Sequence, residues 1–455
     1  MPTPESAKMH EITGSLREAV FEYARKRLSY SPPPLDKSTS AEAIHEQAGA
    51  TITESGIGGI EALRVFEEVL APATISTDHP GYLSFIPSAP TESSKLFDLI
   101  VSASAIYGGS WLEGAGAVYA ENEVLSWFAK ECGLPSSAGG VFVQGGTLGN
   151  LSALVTAREI FRKRHGSTKR LAFICSKEAH SSLNSAAKIM DVDIISVPCN
   201  DAGKLTGDAI EAQVGAEDFA RTFAIVATGG TTNFGIVDDI ESIAGVAKAK
   251  QIWLHIDGAY GLAAILSTQH RGLFEGVQQA DSLIVDPHKW LFAPFDACAL
   301  IYRNPELARS VHSQHGEYLE TLNESEDWNP SDYAINLTRR PRGLPLWFSL
   351  ATHGVKQYRS AIEANCETAQ QAANLIRQRE DLELVRDPEL SVVVFQKKNW
   401  HKSDYEKWSE KLLDDQIAFV VPSSHRGEPN LRFAIVNPLT NVEIISEILE
   451  TIPRD

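Results

Sequence analysis

Between about Gly81 and Gly343 the chain repeats one pattern, a short apolar run followed by a helix-length stretch. The runs are Val141-Phe142-Val143, Leu171-Ala172-Phe173-Ile174, Phe223-Ala224-Ile225-Val226, Ile252-Trp253-Leu254-His255-Ile256 and Ser282-Leu283-Ile284-Val285. Runs with so little polar alternation must be covered on both faces, as strands are in a mostly parallel sheet with helices on either side. The spacing therefore predicts an α/β domain over residues 81–350. In such sheets the groups that handle ligands collect just past the carboxyl ends of the strands. Gly145, His180, Thr228, Asp257 and His288-Lys289 each follow one of these runs.

The flanks read differently. Ile12, Leu16, Val20, Phe21, Tyr23 and Leu28 recur at helical spacing, and Pro32-Pro33-Pro34 stops that helix. A second helix is predicted over Ile60–Leu70. Residues 1–80 then form a helical arm too thin to fold alone, which needs another surface such as a second subunit. After about Gly354 a helix over Ala361–Arg377 is followed by runs at Leu390–Phe395, Ile417–Val421 and Leu431–Val436, with a helix through Leu413 between the first two and another over Asn441–Leu449. This order predicts a small α+β domain over residues 351–455. Asn323–Asp332 is polar and acidic and reads as a mobile loop.

Composition excludes several classes. A net charge of −18 argues against nucleic acid and acidic membrane surfaces, since both need basic patches. The start, Met1-Pro2-Thr3-Pro4-Glu5, lacks the basic-then-apolar order of a secretory signal, and no apolar run reaches membrane-spanning length. Cys132, Cys175, Cys199, Cys298 and Cys366 are scattered, which fits a reducing cytoplasm and neither a disulfide frame nor a zinc site. The histidines form no His-x-x-x-His or His-x-His pair, so no metal is expected.

Asp286-Pro287-His288-Lys289-Trp290 and His255-Ile256-Asp257-Gly258-Ala259-Tyr260 carry the chemistry. A lysine at one strand end can condense with an aldehyde, and burial favours its reactive neutral amine. A buried acid at the next strand end needs a cation, and a protonated pyridine nitrogen is one. Asp257 before two small residues is equally readable as a turn cap. Gly145-Gly146-Thr147-Leu148-Gly149-Asn150, between a run and a helix, suits a phosphate cup, since backbone N–H groups and the helix start both favour an anion. It is neither a dinucleotide fingerprint nor a Walker loop. His180, in Ala179-His180-Ser181-Ser182, could stack on an aromatic ring or simply belong to a loop. Together these pieces point to pyridoxal 5′-phosphate (PLP).

In this order the motifs resemble the group II PLP-dependent decarboxylases, the family of the aromatic-L-amino-acid and glutamate decarboxylases. The resemblance runs from about His79 to Leu431–Pro438, and Asp286–Leu291 with Pro294-Phe295-Asp296 is its most specific part. It implies a fold-type I PLP enzyme: a large domain with a mostly parallel seven-stranded sheet, the small C-terminal domain and the N-terminal arm. It also implies a homodimer with active sites at the subunit interface, and α-decarboxylation of an amino acid. By matching position, Lys289 would hold the cofactor, Asp257 its ring nitrogen, His180 one ring face and Ala259 the other. Gly145, Gly146 and Thr147, with Asp286 and His288, would hold the phosphate. Thr228 would touch the ring, and Thr338 marks where the partner subunit reaches the phosphate. Tyr318 would return a proton after CO2 leaves; phenylalanine there accompanies oxidative aldehyde synthesis in some relatives.

Phe85, Ile86, Pro87 and Ser88, with Tyr107 and Trp111, match pocket-wall positions of the aromatic decarboxylases, so tryptophan, phenylalanine, tyrosine or dihydroxyphenylalanine is the expected substrate class. Gly108 and Gly109 stand where a pocket aromatic is usual and could admit an indole or a longer chain, and Glu113 could attract a cationic tail; equally, both features could be structural. Acidic and diamino acids stay open as substrates, as do an aldehyde synthase, a carbon–carbon lyase and a non-catalytic PLP-fold binding protein.

Overall fold

The computed structural model describes residues 9–166, 170–314 and 327–454. Seven strands build the main sheet: β1 (Gly139–Val143), β2 (Ala172–Ser176), β3 (Asp193–Val197), β4 (Thr222–Thr228), β5 (Trp253–Asp257), β6 (Ser282–Val285) and β7 (Cys298–Tyr302). Their order across the sheet is β1-β7-β6-β5-β4-β2-β3. Pairing is parallel from β3 through β2, β4 and β5 to β6, while β7 runs antiparallel to both β6 and β1. One reversed strand therefore sits in a sheet whose other strands all end on one rim. The fold is α/β, as the apolar runs predict. The runs left two strands unmarked. β3 is an edge strand with only partial burial, so its alternation is weak. β7 is fully buried but follows the Pro294-Phe295-Asp296 turn too closely to stand out.

Each face of the sheet is covered. Phe142, Ile174, Ile225, Leu254 and Leu283 pack with Phe128, Ile243 and Leu262 on one side. Val143, Phe173, Val226 and Ile284 pack with Leu154, Ala157 and Ile160 on the other. Both covers are helical: Trp111–Glu131 and Ile240–Lys250 on the first, Gly146–His165 on the second. At roughly 25 cal/mol per Å² of apolar surface, this burial is the main favourable term holding the sheet.

A second, fully antiparallel sheet has the order β10-β11-β9-β8, with β8 (Leu382–Leu384), β9 (Val392–Lys397), β10 (Ser423–His425) and β11 (Glu428–Ala434). Phe395 and Phe433 pack across β9 and β11 with ring centres 4.9 Å apart and planes tilted by 58°, on the face that Leu412, Ile445 and Ile448 cover. Ile417–Val421, expected as a strand, is not one. Its Phe419 makes a single bridge to Tyr82, because the backbone at 419 bonds Gly81 O and Leu83 N instead of a sheet neighbour. The helix expected from Ala361 begins at Leu344 and runs to Arg377, interrupted at Gly354, where φ is +73°.

The segment read as a mobile loop needs a second correction. Its first residues, 323–326, lie outside the described residues. From Asn329 the backbone is buried: Asn329 Oδ1 accepts from Trp111 N at 2.9 Å, and Pro330–Asp332 forms a 3-10 turn. Trp328 stacks on Tyr333 at 4.1 Å. Polarity there serves to cap the helix that starts at Trp111, not to meet solvent.

Two histidines are sealed in this framework. His255 on β5 and His312 at the end of Pro305–His312 are both pushed down to about 4, chiefly by burial. The unfolded chain takes up these protons near pH 6.5, the folded one only near 4, so the unfolded state binds more protons in between. Their contribution is complete above about pH 7 and is lost as the pH falls toward 4, by roughly 3 kcal/mol per histidine. Melting temperature should therefore fall between pH 7 and 4.5, and His312→Gln should flatten that fall.

Candidate active site

The carboxyl rim of the sheet encloses a cavity of about 310 Å³. Gly145, Gly146, Thr147, His180, Thr228, Asp257, Ala259, Asp286, His288 and Lys289 all line it. They arrive from β1, β2, β4, β5 and β6, so residues far apart in sequence meet because their strands end together.

The glycine-rich turn leads from β1 into the helix Gly146–His165, and Gly145, Gly146 and Thr147 at that junction line the cavity. Gly149 has to be glycine: a Cβ there would sit 2.8 Å from both Cys298 Sγ and Ile284 Cγ2. That close approach pulls the helix start down onto the strand ends. Gly146 N donates to Asp286 Oδ2 at 3.3 Å, and Lys289 Nζ lies 2.9 Å from the same oxygen. Burial works against the Lys289 ammonium, but the adjacent Asp286, helped by Asp257, outweighs it and raises the pKa above that of an ordinary lysine. The expectation that burial favours the free amine is thus reversed: Asp286 holds the lysine charged. His288 is pushed down chiefly by burial and hydrogen-bonds through Nδ1 with the Ala297 backbone.

Asp257 ends β5 with both oxygens engaged. Oδ2 accepts from Asn150 Nδ2 at 2.8 Å, and Oδ1 accepts from Ala259 N at 3.2 Å. The turn-cap reading and the buried-acid reading are both realised in one side chain. Both donors are neutral, and among the described residues no ion pair is made to this carboxylate. His180 stands exposed at the cavity mouth, its Nδ1 held by Ser182. Thr228 is fixed through its backbone N–H to Asp238 Oδ2 at 2.7 Å.

Other expected positions lie elsewhere in this chain. Phe85, Ile86, Pro87, Ser88, Tyr107, Trp111 and Thr338 do not line the cavity. Phe85 and Thr338 are exposed, while Ser88 Oγ donates to Ala293 O at 3.1 Å. Ser88 faces a neighbouring cavity of about 550 Å³, and Phe295 borders both. Tyr107 OH donates to Leu337 O at 3.2 Å. Tyr318 lies outside the described residues.

Gly108 does not make room for an indole within this chain, because a Cβ there would meet Pro341 N at 2.9 Å and the glycine is needed for that contact. Glu113 is exposed and accepts from Ser110 Oγ at 2.8 Å, inside the cap of its own helix.

Sequence reading missed Asn150, Ser182, Phe295 and Asp296 as lining residues. Asn150 carried a signal: a poor helix former inside a helix, buried at 1% exposure, needs a polar partner. His255 carried another, since it shares a strand face with Asp257 two residues on.

A mostly parallel sheet whose rim joins a lysine, a buried acid and a glycine-lined helix start defines an enzyme of the PLP-binding α/β class. Residues 61–398 match the pyridoxal-dependent decarboxylase conserved domain, and the chain belongs to that family. It is 28% identical to an aromatic-L-amino-acid decarboxylase of Bacillus atrophaeus, over 91% of this chain and 89% of that protein. A tyrosine decarboxylase of Petroselinum crispum is 30% identical over 83% of this chain and 80% of its own. The fold superposes on Oryza sativa TDC, solved with PLP and tryptamine, with a TM-score of 0.88, at 24% identity over 99% of this chain and 98% of that one.

The protein is a PLP-dependent amino-acid decarboxylase. The cavity fits the cofactor: among the described residues Asp257 makes no ion pair, Ala259 offers a small flat contact, and a helix begins at the glycine-rich side of the lining, where an anion is favoured.

Proposed function

We propose that this chain decarboxylates an aromatic L-amino acid to the amine and CO2, with Lys289 holding the cofactor and Asp257 meeting its ring nitrogen. The observation that carries the assignment of residues is the convergence of Lys289, Asp257, His180 and the Gly145–Thr147 turn on one cavity. The aromatic preference draws on charge. Among the described residues lining the cavity, Lys289 is the only lysine or arginine, so an acidic substrate side chain finds no cation to spare. Asp296, the acid nearest the mouth, is tied to Arg342 at 2.7 Å, which leaves it a poor partner for a diamino acid. Phe295, 55% exposed beside the cavity, supplies an apolar wall. The relatives that act on aromatic amino acids support the same choice.

Bound PLP supplies an aldehyde for covalent capture of an amine and a cationic ring that withdraws the electron pair left by the breaking bond. The protein supplies orientation and proton control. Gly145, Gly146 and Thr147 would hold the phosphate with N–H and hydroxyl donors, with His288 at the edge. Asp257 would keep the ring nitrogen protonated. His180, Ala259 and Thr228 would contact the ring. Asp286 holds the Lys289 ammonium, which gives the lysine a fixed place and a proton to donate. Tyr318 would supply a proton to the product carbon.

The helix Gly14–Ser29 buries no residue against its own chain, and Leu96, Leu99, Ile100, Leu112 and Tyr119 leave further apolar surface open. This supports a homodimer in which residues 1–80 pack on the partner, residues 81–350 bind the cofactor and residues 351–455 form the smaller domain. In that arrangement Thr338 and the Phe85–Ser88, Tyr107 and Trp111 positions belong to a site completed across the interface. No helix among the described residues is long and apolar enough to cross a membrane, and all five cysteines are free, which is in keeping with a cytoplasmic enzyme.

The test is incubation of the PLP-loaded protein with the twenty amino acids, dihydroxyphenylalanine and diaminobutyrate, measuring CO2, amine and aldehyde. Aromatic substrates should release CO2 and amine in equal amounts; turnover of glutamate or diaminobutyrate alone would overturn the substrate assignment. Tyr318→Phe should cut amine formation by roughly 10²-fold or more and raise aldehyde and peroxide. Amine formation at the wild-type rate would remove Tyr318 from the reaction.

A further inference from the structure

A single line of hydrogen bonds runs beneath the cavity, and its direction is forced from both ends. The indole of Trp253 can only donate, and its Nε1 bonds Ser282 Oγ at 2.8 Å. The Asp257 carboxylate can only accept, and its Oδ2 bonds Asn150 at 2.8 Å, so the amide nitrogen of Asn150 must face it. Asn150 Oδ1 then faces His255 Nε2 at 2.9 Å and must be given a hydrogen, which places the His255 proton on Nε2. His255 Nδ1 accepts from Ser282 Oγ at 2.8 Å, which closes the line without a conflict.

The second hydrogen of the Asn150 amide goes to Ser182 Oγ at 3.1 Å. Ser182 Oγ lies 2.9 Å from His180 Nδ1, and Ser182 N also donates to that nitrogen at 3.2 Å. An Nδ1 that accepts leaves the His180 proton on Nε2, the ring's other nitrogen. Asn150, His255 and Ser282 are each at most 1% exposed, so water does not compete for these bonds.

We infer that Asn150 is a positioning residue that fixes two cofactor-facing groups at once, aiming the Asp257 carboxylate and, through Ser182, setting His180 as an Nε2–H donor. The inference rests on the roles given above to Asp257 and His180. It extends them to a residue that sits one turn into the helix whose start forms the glycine cup, so one helix fixes the phosphate end and the ring-nitrogen end together. The suppressed protonation of His255 agrees with this, because a neutral ring donates from Nε2 alone, whereas a charged His255 would donate from both nitrogens and reverse the Ser282 bond.

The test compares wild type, Asn150→Ala, Ser182→Ala and Asp257→Ala. Cofactor dissociation constants are read from tryptophan quenching as PLP is added to unloaded protein, and ring tautomers from ¹⁵N-histidine spectra of the loaded protein. Asn150→Ala should weaken PLP binding about tenfold, the cost of one lost bond to a buried charged group, and should shift both the His180 and His255 signals. Ser182→Ala should shift the His180 signal and leave that of His255 in place.

Asn150→Ala that binds PLP within twofold of wild type while Asp257→Ala does not would overturn the inference and leave the reading of Asp257 standing. Unchanged binding in both variants would remove both. The wild-type spectra decide the matter even if the variants do not fold: a proton on Nδ1 of either His180 or His255 would overturn the inference.

Discussion

Lys289→Ala is expected to abolish the visible absorbance of lysine-bound cofactor and to lower kcat/KM for the best substrate by roughly 10³-fold or more. The size follows from position. Lys289 is the only lysine or arginine lining the cavity among the described residues, so no lining neighbour can take over the covalent role proposed for it. The phosphate cup and Asp257 remain intact in the variant, so PLP should still bind, reversibly and without surviving borohydride treatment followed by denaturation. Removing Lys289 also strips Asp286 of the cation 2.9 Å away, leaving a buried carboxylate beside the phosphate site. Cofactor affinity should consequently fall more for Lys289→Ala than for Lys289→Arg, which keeps the charge. An unaltered spectrum in Lys289→Ala, with PLP attached to another side chain, would refute the assignment.

Asp257→Asn should be the second large loss, on the order of 10²- to 10³-fold in kcat with a much smaller change in KM. The substitution is isosteric but exchanges one acceptor oxygen for an amide donor as well as removing the charge. The remaining oxygen can still accept from Asn150 Nδ2, while the longer bond from Ala259 N is lost, a small cost beside that of the missing charge. What disappears is the anion proposed to keep a ring nitrogen protonated in a buried site, where an unpaired ring cation is costly. The effect is felt as charge builds up during bond breaking, which is why it falls on kcat. Steady-state kinetics with the preferred amino acid, together with pH titration of the cofactor spectrum, would measure it. A variant with near-normal kcat would detach Asp257 from the ring nitrogen.

The two motifs behind these predictions were readable because each is local: a few consecutive residues at a strand end carry both the chemistry and its placement. The five apolar runs were readable for the same reason, since double-sided burial erases polar alternation within the run itself. What escaped depends on partners distant in sequence. β3 is an edge strand, and its half-exposed pattern, Asp193-Ile194-Ile195-Ser196-Val197, resembles a loop as much as a strand. Ile417–Val421 is apolar enough for a sheet but finds its backbone partners at Gly81 and Leu83, more than three hundred residues earlier. Ser182 looks ordinary in sequence, and the oddity of Asn150 inside a helix acquires meaning only when two helix starts and β5 come together. Gly108 looked like an enlarged pocket and is instead a backbone contact with Pro341.

The reversed direction of β7 has a consequence for how the enzyme tolerates change. Because β6 leaves the rim and β7 returns from it, residues 286–298 form one uninterrupted hairpin path across the site, carrying Asp286, His288, Lys289, Phe295 and Asp296. Crossover connections that carry no residue lining the cavity, such as the one after β3, can lengthen without disturbing the site. This return path cannot: one inserted residue would displace Lys289 and Phe295 together, so natural variation in length should avoid it.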